Sequence, residues 1–321
     1  MTDFDSLTDP RASGWEDKVR ELKSRSIKSW LLVSSFQGLA KLPKSARLGL
    51  GWLLAKLTPL VVPRRAKIVR RNLELCFPDM SVSDRDALMR EHFRALAQTF
   101  VDRGVLWFGS VDQVKKLVKV KGFENLKPWL DSERPVMLLA PHFVGLDASA
   151  SRLTMIGPEG ATMYSNQGSE LLDALVRLGR ARFQIVHLVS RRDGIRALIR
   201  FIKQRLPIYY LPDMDFGRRG AVFVPFFGVS AATQTSTAQL AAQFNMAVVP
   251  IISAWDPKTG TYCVDIKPAL TDMPSEGLDL EAQTARLNER LEGWVRENPS
   301  QYYWVHRRFK SRPEGEPSLY Q

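Results

Sequence analysis

Apolar positions along this chain recur at two periods, and the changes of period outline its elements. Over residues 83–107, Leu88, Phe93, Leu96, Ala97 and Phe100 fall on one helical face, with Ser81 or Ser83 placed to cap the start. Short apolar runs rich in β-branched and aromatic residues read instead as strands: 118–120, 136–140, 160–164, 185–188, 207–211, 247–254 and 262–266. Between and after them, helical patterns cover 169–183, 193–204, 233–244 and 280–297. Strand and helix alternate, which predicts an α/β fold with a mixed or mostly parallel sheet flanked by helices. No repeat, Gly-rich phosphate loop or zinc spacing interrupts the pattern.

The pattern differs before residue 81. Residues 1–26 read as a polar lead, residues 27–80 as a basic amphipathic helical segment, and residues 81–321 as the main α/β domain. No acidic residue occurs between Glu21 and Glu74, while Lys28, Lys41, Arg47, Lys56, Arg64 and Arg71 alternate with apolar runs that contain Trp30 and Trp52. Such a segment suits an anionic membrane surface, or equally a pair of amphipathic helices packed on the main domain. Neither apolar run, 30–40 or 48–62, reaches the roughly 20 residues needed to cross a bilayer. The first thirty residues lack the apolar core of a secretory signal.

Composition narrows the choice of partners. The 321 residues, 45% of them hydrophobic, suffice for one large α/β domain or two smaller ones. A net charge of +12 favours nucleic acid, anionic lipid or an acidic carrier protein. Two cysteines, Cys76 and Cys263, exclude a disulfide framework and a cysteine metal site, and fit a reducing compartment.

Three polar clusters interrupt the apolar pattern. The run 136–140 stops at Pro141, so His142 sits at a strand's carboxyl end, where open α/β sheets bind ligands. Asp147 follows beyond a Gly-containing turn, a position that suits either reach to one imidazole nitrogen, leaving the other as a general base, or a helix N-terminal acid beside a surface histidine. The second cluster, Asp213-Met214-Asp215-Phe216-Gly217, also follows an apolar strand and precedes Arg218-Arg219. Its acids suit a sugar, a metal or support of a base. Arg180 and Arg192 lie near strand ends, where guanidinium groups pair with phosphates. The third cluster, residues 302–310, mixes aromatics with cations around His306, which as readily serves structure as chemistry.

Together these pieces resemble one family, the late acyltransferases of lipid A biosynthesis (lauroyl and myristoyl transferases). The likeness is carried by Arg71-Asn72-Leu73-Glu74-Leu75-Cys76-Phe77-Pro78, by His142 to Asp147, by Gly179-Arg180, and by Arg192-Asp193. It continues through Pro212 to Gly217, Val222 to Gly228, and Tyr303 to Lys310, in the family's order over roughly residues 60–315. Asp147 stands where those enzymes usually carry Glu, and Ser165 where they often carry Arg.

The resemblance implies a glycerolipid-acyltransferase-like fold and a bacterial inner-membrane enzyme, peripheral or monotopic, at the cytoplasmic face. It would move an acyl chain from acyl carrier protein or acyl-CoA to a hydroxyl of a lipid A precursor, with His142 as base and Asp147 orienting it. Arg180, Arg192, Asp213, Asp215 and Arg218 would bind substrate. Phe143, Leu146, Phe223 and Phe226 would line an acyl pocket, walled by the helix after Asp147 and by the run 222–227. No metal or cofactor is required, and no role for nucleic acid follows. The rivals are an acyltransferase acting on a glycerophospholipid or another glycolipid, and a non-catalytic basic protein that binds membrane or nucleic acid.

Overall fold

A computed structural model describes residues 14–191, 194–274, 277 and 279–320. The runs of strand period become β1 (Val118–Lys121), β2 (Val136–Leu139), β3 (Gly160–Tyr164), β4 (Val186–Ser190), β5 (Ile208–Tyr210), β6 (Ala221–Phe226), β7 (Val229–Gln234), β8 (Ala247–Asp256) and β9 (Thr261–Ile266). Seven of them form one sheet in the order β1-β9-β8-β2-β5-β3-β4. All its pairings are parallel except β8 with β9. The mixed, mostly parallel α/β sheet expected from the alternation is therefore present. Every residue of β2 is buried, as a strand covered on both faces requires.

The helices are α1 (Trp15–Ser24), α2 (Ile27–Lys41), α3 (Lys44–Val61), α4 (Pro63–Cys76), α5 (Val82–Phe108) and α6 (Val111–Leu117), then α7 (Lys127–Leu130), α8 (Leu146–Leu153), α9 (Glu170–Arg180), α10 (Gly194–Lys203), α11 (Ser236–Gln243) and α12 (Leu280–Glu297). Ser81 accepts from the Asp84 N–H at 3.1 Å and so caps α5. One predicted helix is shortened. Residues 229–234 pair with β6 as a hairpin, and α11 begins only at Ser236. The hairpin turn places Phe227 at φ 53° and Gly228 at φ 74°, the two left-handed positions of a tight turn that matches strand twist. Residues 233 and 234 belong to the returning strand, so the helix expected over 233–244 starts later.

The N-terminal helices bury one face on the α/β body. Trp15, Val19, Val33 and Phe36 share a continuous core with Val249 and Val264 of the sheet. The Trp15 indole N–H donates to the Leu178 carbonyl at 2.8 Å. Gly104 of α5 lets α2 approach closely, since a Cβ there would lie 2.9 Å from the Phe36 carbonyl oxygen and the Ala40 nitrogen. Arg47 of α3 pairs with Asp102 of α5 at 3.0 Å, and Asp102 also accepts from Gln98 and from the Tyr262 hydroxyl of β9. Burial raises the Asp102 carboxyl above its ordinary range, against the lowering from these donors. The opposite face of α2 and α3 is apolar and uncovered, with Ile27, Trp30, Leu31, Trp52, Leu60 and Val61 all exposed. Among the described residues no single helix is long and apolar enough to cross a membrane. Helices α3 and α4 reach that length together but bend by 93° at their junction.

Candidate active site

Two prolines place the centre of the site. Strands β2 and β5 are parallel neighbours, in register at Leu139 and Tyr210. Each stops one residue before a proline pair, Ala140-Pro141 and Leu211-Pro212, because proline cannot extend the ladder. His142 and Asp213 each lie three residues beyond that register pair, so the two chains deliver them to the same point at the sheet's carboxyl edge.

Asp213 grips His142 twice. Its Oδ2 accepts the His142 backbone N–H at 2.9 Å, and its Oδ1 faces Nδ1 at 2.7 Å. A carboxylate only accepts, so Nδ1 carries the proton and Nε2 keeps its lone pair. Among the described residues Nε2 has no partner, and the imidazole lines a cleft. Asp213 is 2% exposed. Burial works against its charge, yet the His142 ring and the hydrogen bonds from His142 hold its carboxyl below the ordinary value.

Asp147, expected as the partner of His142, is engaged elsewhere. Its Oδ2 accepts from Arg103 of α5 at 2.7 Å and its Oδ1 from Arg180 of α9 at 3.0 Å. Burial opposes its charge, but the two guanidinium groups hold the carboxyl far below the usual carboxylate range. The reason is the turn after β2. Asp147 sits in the first turn of α8, packed toward α5 and α9, whereas the β5 end lies beside the imidazole. Arg103 went unmarked in the sequence, since a basic residue within a long amphipathic helix ordinarily faces solvent.

The C-terminal cluster is stitched to the same loop. The Tyr303 N–H donates to the His142 carbonyl at 2.8 Å and the Val144 N–H to the Gln301 carbonyl at 2.7 Å, on either side of a Phe143–Tyr302 bridge. That pairing carries His306 into the cleft wall. The Asp215 backbone N–H donates to His306 Nε2 at 3.0 Å. Burial, then the neighbouring His142, push the His306 imidazole down to about 4.

Of the substrate-binding residues expected, Asp213 holds His142, and Arg180 lines the cleft paired with Asp147. Asp215 is spent within the protein, on the N–H groups of Gly217 and Ser311 and the Ser311 hydroxyl. Arg218 is exposed and outside the cleft lining, while Arg191 and Arg219 line it. Arg192 lies outside the described residues. Phe143 and Leu146 line the cleft; Phe223 and Phe226 do not. Phe226 is instead buried in a separate core with Phe227, Tyr302 and Phe309, and Phe223 belongs to the same hairpin, because β6 and β7 form their own two-stranded sheet.

The cleft has a volume of about 1300 Å³. That exceeds the roughly 300–1,000 Å³ of a small-molecule site and suits a larger, chain-bearing substrate. Its apolar walls come from Leu146, Ala150 and Leu153 of α8, Val176 of α9, Ile199 of α10, and Phe36 and Phe100 at the N-terminal helices. Among the described residues no group of three or more His, Cys, Asp or Glu side chains is arranged to hold a metal. Burial pushes the Cys76 thiol up, so it offers no thiolate.

Comparison with known proteins shows the family. Residues 16–311 match the family described as bacterial lipid A biosynthesis acyltransferase. The lipid A biosynthesis lauroyltransferase of Escherichia coli K12 is 34% identical over 293 residues, covering 91% of this chain and 94% of that protein. A lipid A biosynthesis acyltransferase of Haemophilus influenzae is 35% identical over 301 residues, covering 91% and 93%. The palmitoleoyltransferase of E. coli K12 is 32% identical over 281 residues, covering 87% and 90%.

Proposed function

The chain belongs to the bacterial lipid A biosynthesis acyltransferases, and from that premise we propose that it transfers a fatty acyl chain from a thioester, on acyl carrier protein or coenzyme A, to an acyl-chain hydroxyl of a lipid A precursor, with His142 as general base. The observation that carries this reading is the His142–Asp213 pair at the edge of a large, apolar-walled cleft.

The acceptor hydroxyl gives its proton to His142 Nε2 as its oxygen attacks the thioester carbonyl. The C–O bond forms, a tetrahedral oxyanion follows, and its collapse breaks the C–S bond. The imidazolium then returns the proton to the leaving sulfur. Asp213 holds the Nδ1–H tautomer throughout and stabilises the imidazolium, as the buried acid of a hydrolytic triad does. Asp147, with Arg103 and Arg180, sets the cleft wall beside the base.

The surface of α2 and α3 supports a membrane setting for this reaction. The exposed tryptophans and leucines of α2 and α3 sit among basic residues without a nearby acid, as in a segment lying at an anionic interface. Phe36 and Phe100, at 5.7 Å between ring centroids, line the cleft where it meets these helices, so an acyl chain would pass from bilayer to site without crossing water. The cytoplasmic leaflet, where thioester donors are made, is the face we assign.

Purified protein in anionic vesicles, given a lauroyl thioester and a lipid A precursor, is expected to yield a product one lauroyl group heavier by mass spectrometry. His142→Ala should lower the rate by about 10²–10⁴-fold. Acylation of glycerophospholipid instead, or a folded His142→Ala protein of ordinary activity, would overturn the proposal.

A further inference from the structure

His306 is the second imidazole in the cleft wall, and its hydrogen bonds define what it can do. The Asp215 main-chain N–H, which can only donate, points at His306 Nε2 at 3.0 Å. That bond requires a lone pair on Nε2, so the ring proton resides on Nδ1. The donor is itself immobilised, because the Asp215 carboxylate accepts from the Ser311 hydroxyl at 2.8 Å, the Ser311 N–H at 2.6 Å and the Gly217 N–H at 2.9 Å. Nδ1 has no partner among the described residues, although His306 lines the cleft. It is also absent from the fully buried polar atoms left without partners. Its N–H is left to donate, on a ring that lines the cleft.

We propose that His306 is a catalytic hydrogen-bond donor, its Nδ1–H directed at the thioester carbonyl oxygen on which negative charge develops as the acceptor attacks. The assignment rests on the acyl-transfer reading above. His306 cannot serve as the base, because its only lone pair is occupied by Asp215. It stays neutral beside the imidazolium formed on His142, since burial and that neighbour disfavour a second positive charge. A neutral imidazole held as a donor by its surroundings is a known device for polarising a carbonyl. Arg103 and Arg180, the other donors near the base, already spend part of their hydrogen-bonding capacity on Asp147. The pairing of residues 301–303 with the His142 loop holds donor and base on one frame.

The test uses two substitutions that divide the ring's functions. In His306→Gln the amide oxygen takes the place of Nε2 and accepts from Asp215, but no donor remains at the Nδ1 position. In His306→Asn the amide nitrogen lies near the Nδ1 position and the contact with Asp215 is lost. Full-length protein in vesicles is assayed with lauroyl-acyl carrier protein and a lipid A precursor, with the melting temperature of each variant recorded. His306→Gln should keep its melting temperature and KM and lose about 10²–10³-fold in kcat, the usual cost of one oxyanion donor. The pH dependence of kcat should keep its shape, because the base is left unchanged. His306→Asn should exceed His306→Ala at least tenfold. A Gln variant with wild-type kcat, a loss confined to KM, or a shifted pH inflection would overturn the assignment. If Gln lowers the melting temperature, the Asn and Ala variants decide, and equal rates for these two overturn it. Absence of transfer by the wild-type protein defeats the acyl-transfer reading itself; wild-type transfer with an unimpaired Gln variant defeats only the role of His306.

Discussion

Asp213 and Asp147 are both buried acids at the carboxyl edge of one sheet, yet they do different work. Asp213 ends a strand and faces an imidazole, which has a proton to share and a second nitrogen to offer the cleft. Asp147 opens a helix and faces two guanidinium groups, which never give up their protons. The first arrangement can couple to a reaction. The second is a fixed ionic clasp joining α8 to α5 and α9. Proximity of an acid to a histidine along the chain therefore says less than the groups each acid meets in space.

The largest expected effect separates the two acids by rate. Asp213→Asn should lower kcat on the order of 10³–10⁴-fold with the fold retained, since an amide presents the wrong hydrogen-bonding partner to Nδ1–H. Asp147→Asn should lower kcat far less. Comparable losses, with unchanged stability, would mean that the acid after the helix start also acts on the base.

Stability should reverse the ranking. Asp147→Ala removes the buried acceptor shared by two partly exposed guanidinium groups, and the loss should be about 1–3 kcal/mol. Urea denaturation would show this as a lower midpoint, and Asp147→Glu should recover part of the loss. An Ala variant as stable as the wild type would dissolve the clasp.

A smaller effect follows from acid titration. Both carboxyls are held below their ordinary values in the folded state. The unfolded chain thus binds protons first, near its reference pKa of about 4, so the stabilisation is complete above that pH and is lost as pH falls through and below it. Asp147→Asn should flatten the stability profile below about pH 4 relative to the wild type. An unchanged slope would mean that the clasp contributes nothing to acid unfolding.

The smallest change is Arg103→Lys. The charge remains, but the forked contact that supplies both its Nε and terminal nitrogen to Asp147 does not. Because Arg103 is partly exposed, the cost should be about 1 kcal/mol, readable in the same denaturation series. A larger loss would mean that the forked geometry, and not the charge alone, holds the clasp.

Much of the fold was legible because it rests on local periodicity. The expected strand at 160–164 appears with those bounds, and the last helix does too. The exception is the start of the helix expected over 233–244, where residues 233–234 belong to a hairpin whose turn depends on Phe227 and Gly228 adopting left-handed backbone, which apolar periodicity does not report. Pocket walls were legible only in part. The eight-residue α8 turns Leu146, Ala150 and Leu153 to the cleft, and that phase is set by packing against α5 and the sheet. Phe223 and Phe226 are as apolar as any pocket wall, but their hairpin pairs outside the main sheet.

The sequence by itself determined the alternation of strands and helices, the placing of His142 and Asp213 after proline-ended strands, and the family. These follow from steric and hydrogen-bonding rules acting over a few residues, and from ordered motifs that need no coordinates. Only the tertiary structure decided which acid serves the imidazole, which arginines clasp the other, and that His306 reaches the cleft. Those outcomes depend on β2 lying beside β5 and on residues 301–303 zipping onto the His142 loop. Partners that far apart in the chain are chosen by burial and by the demand that every interior polar group find a complement, and no local window of sequence contains both members.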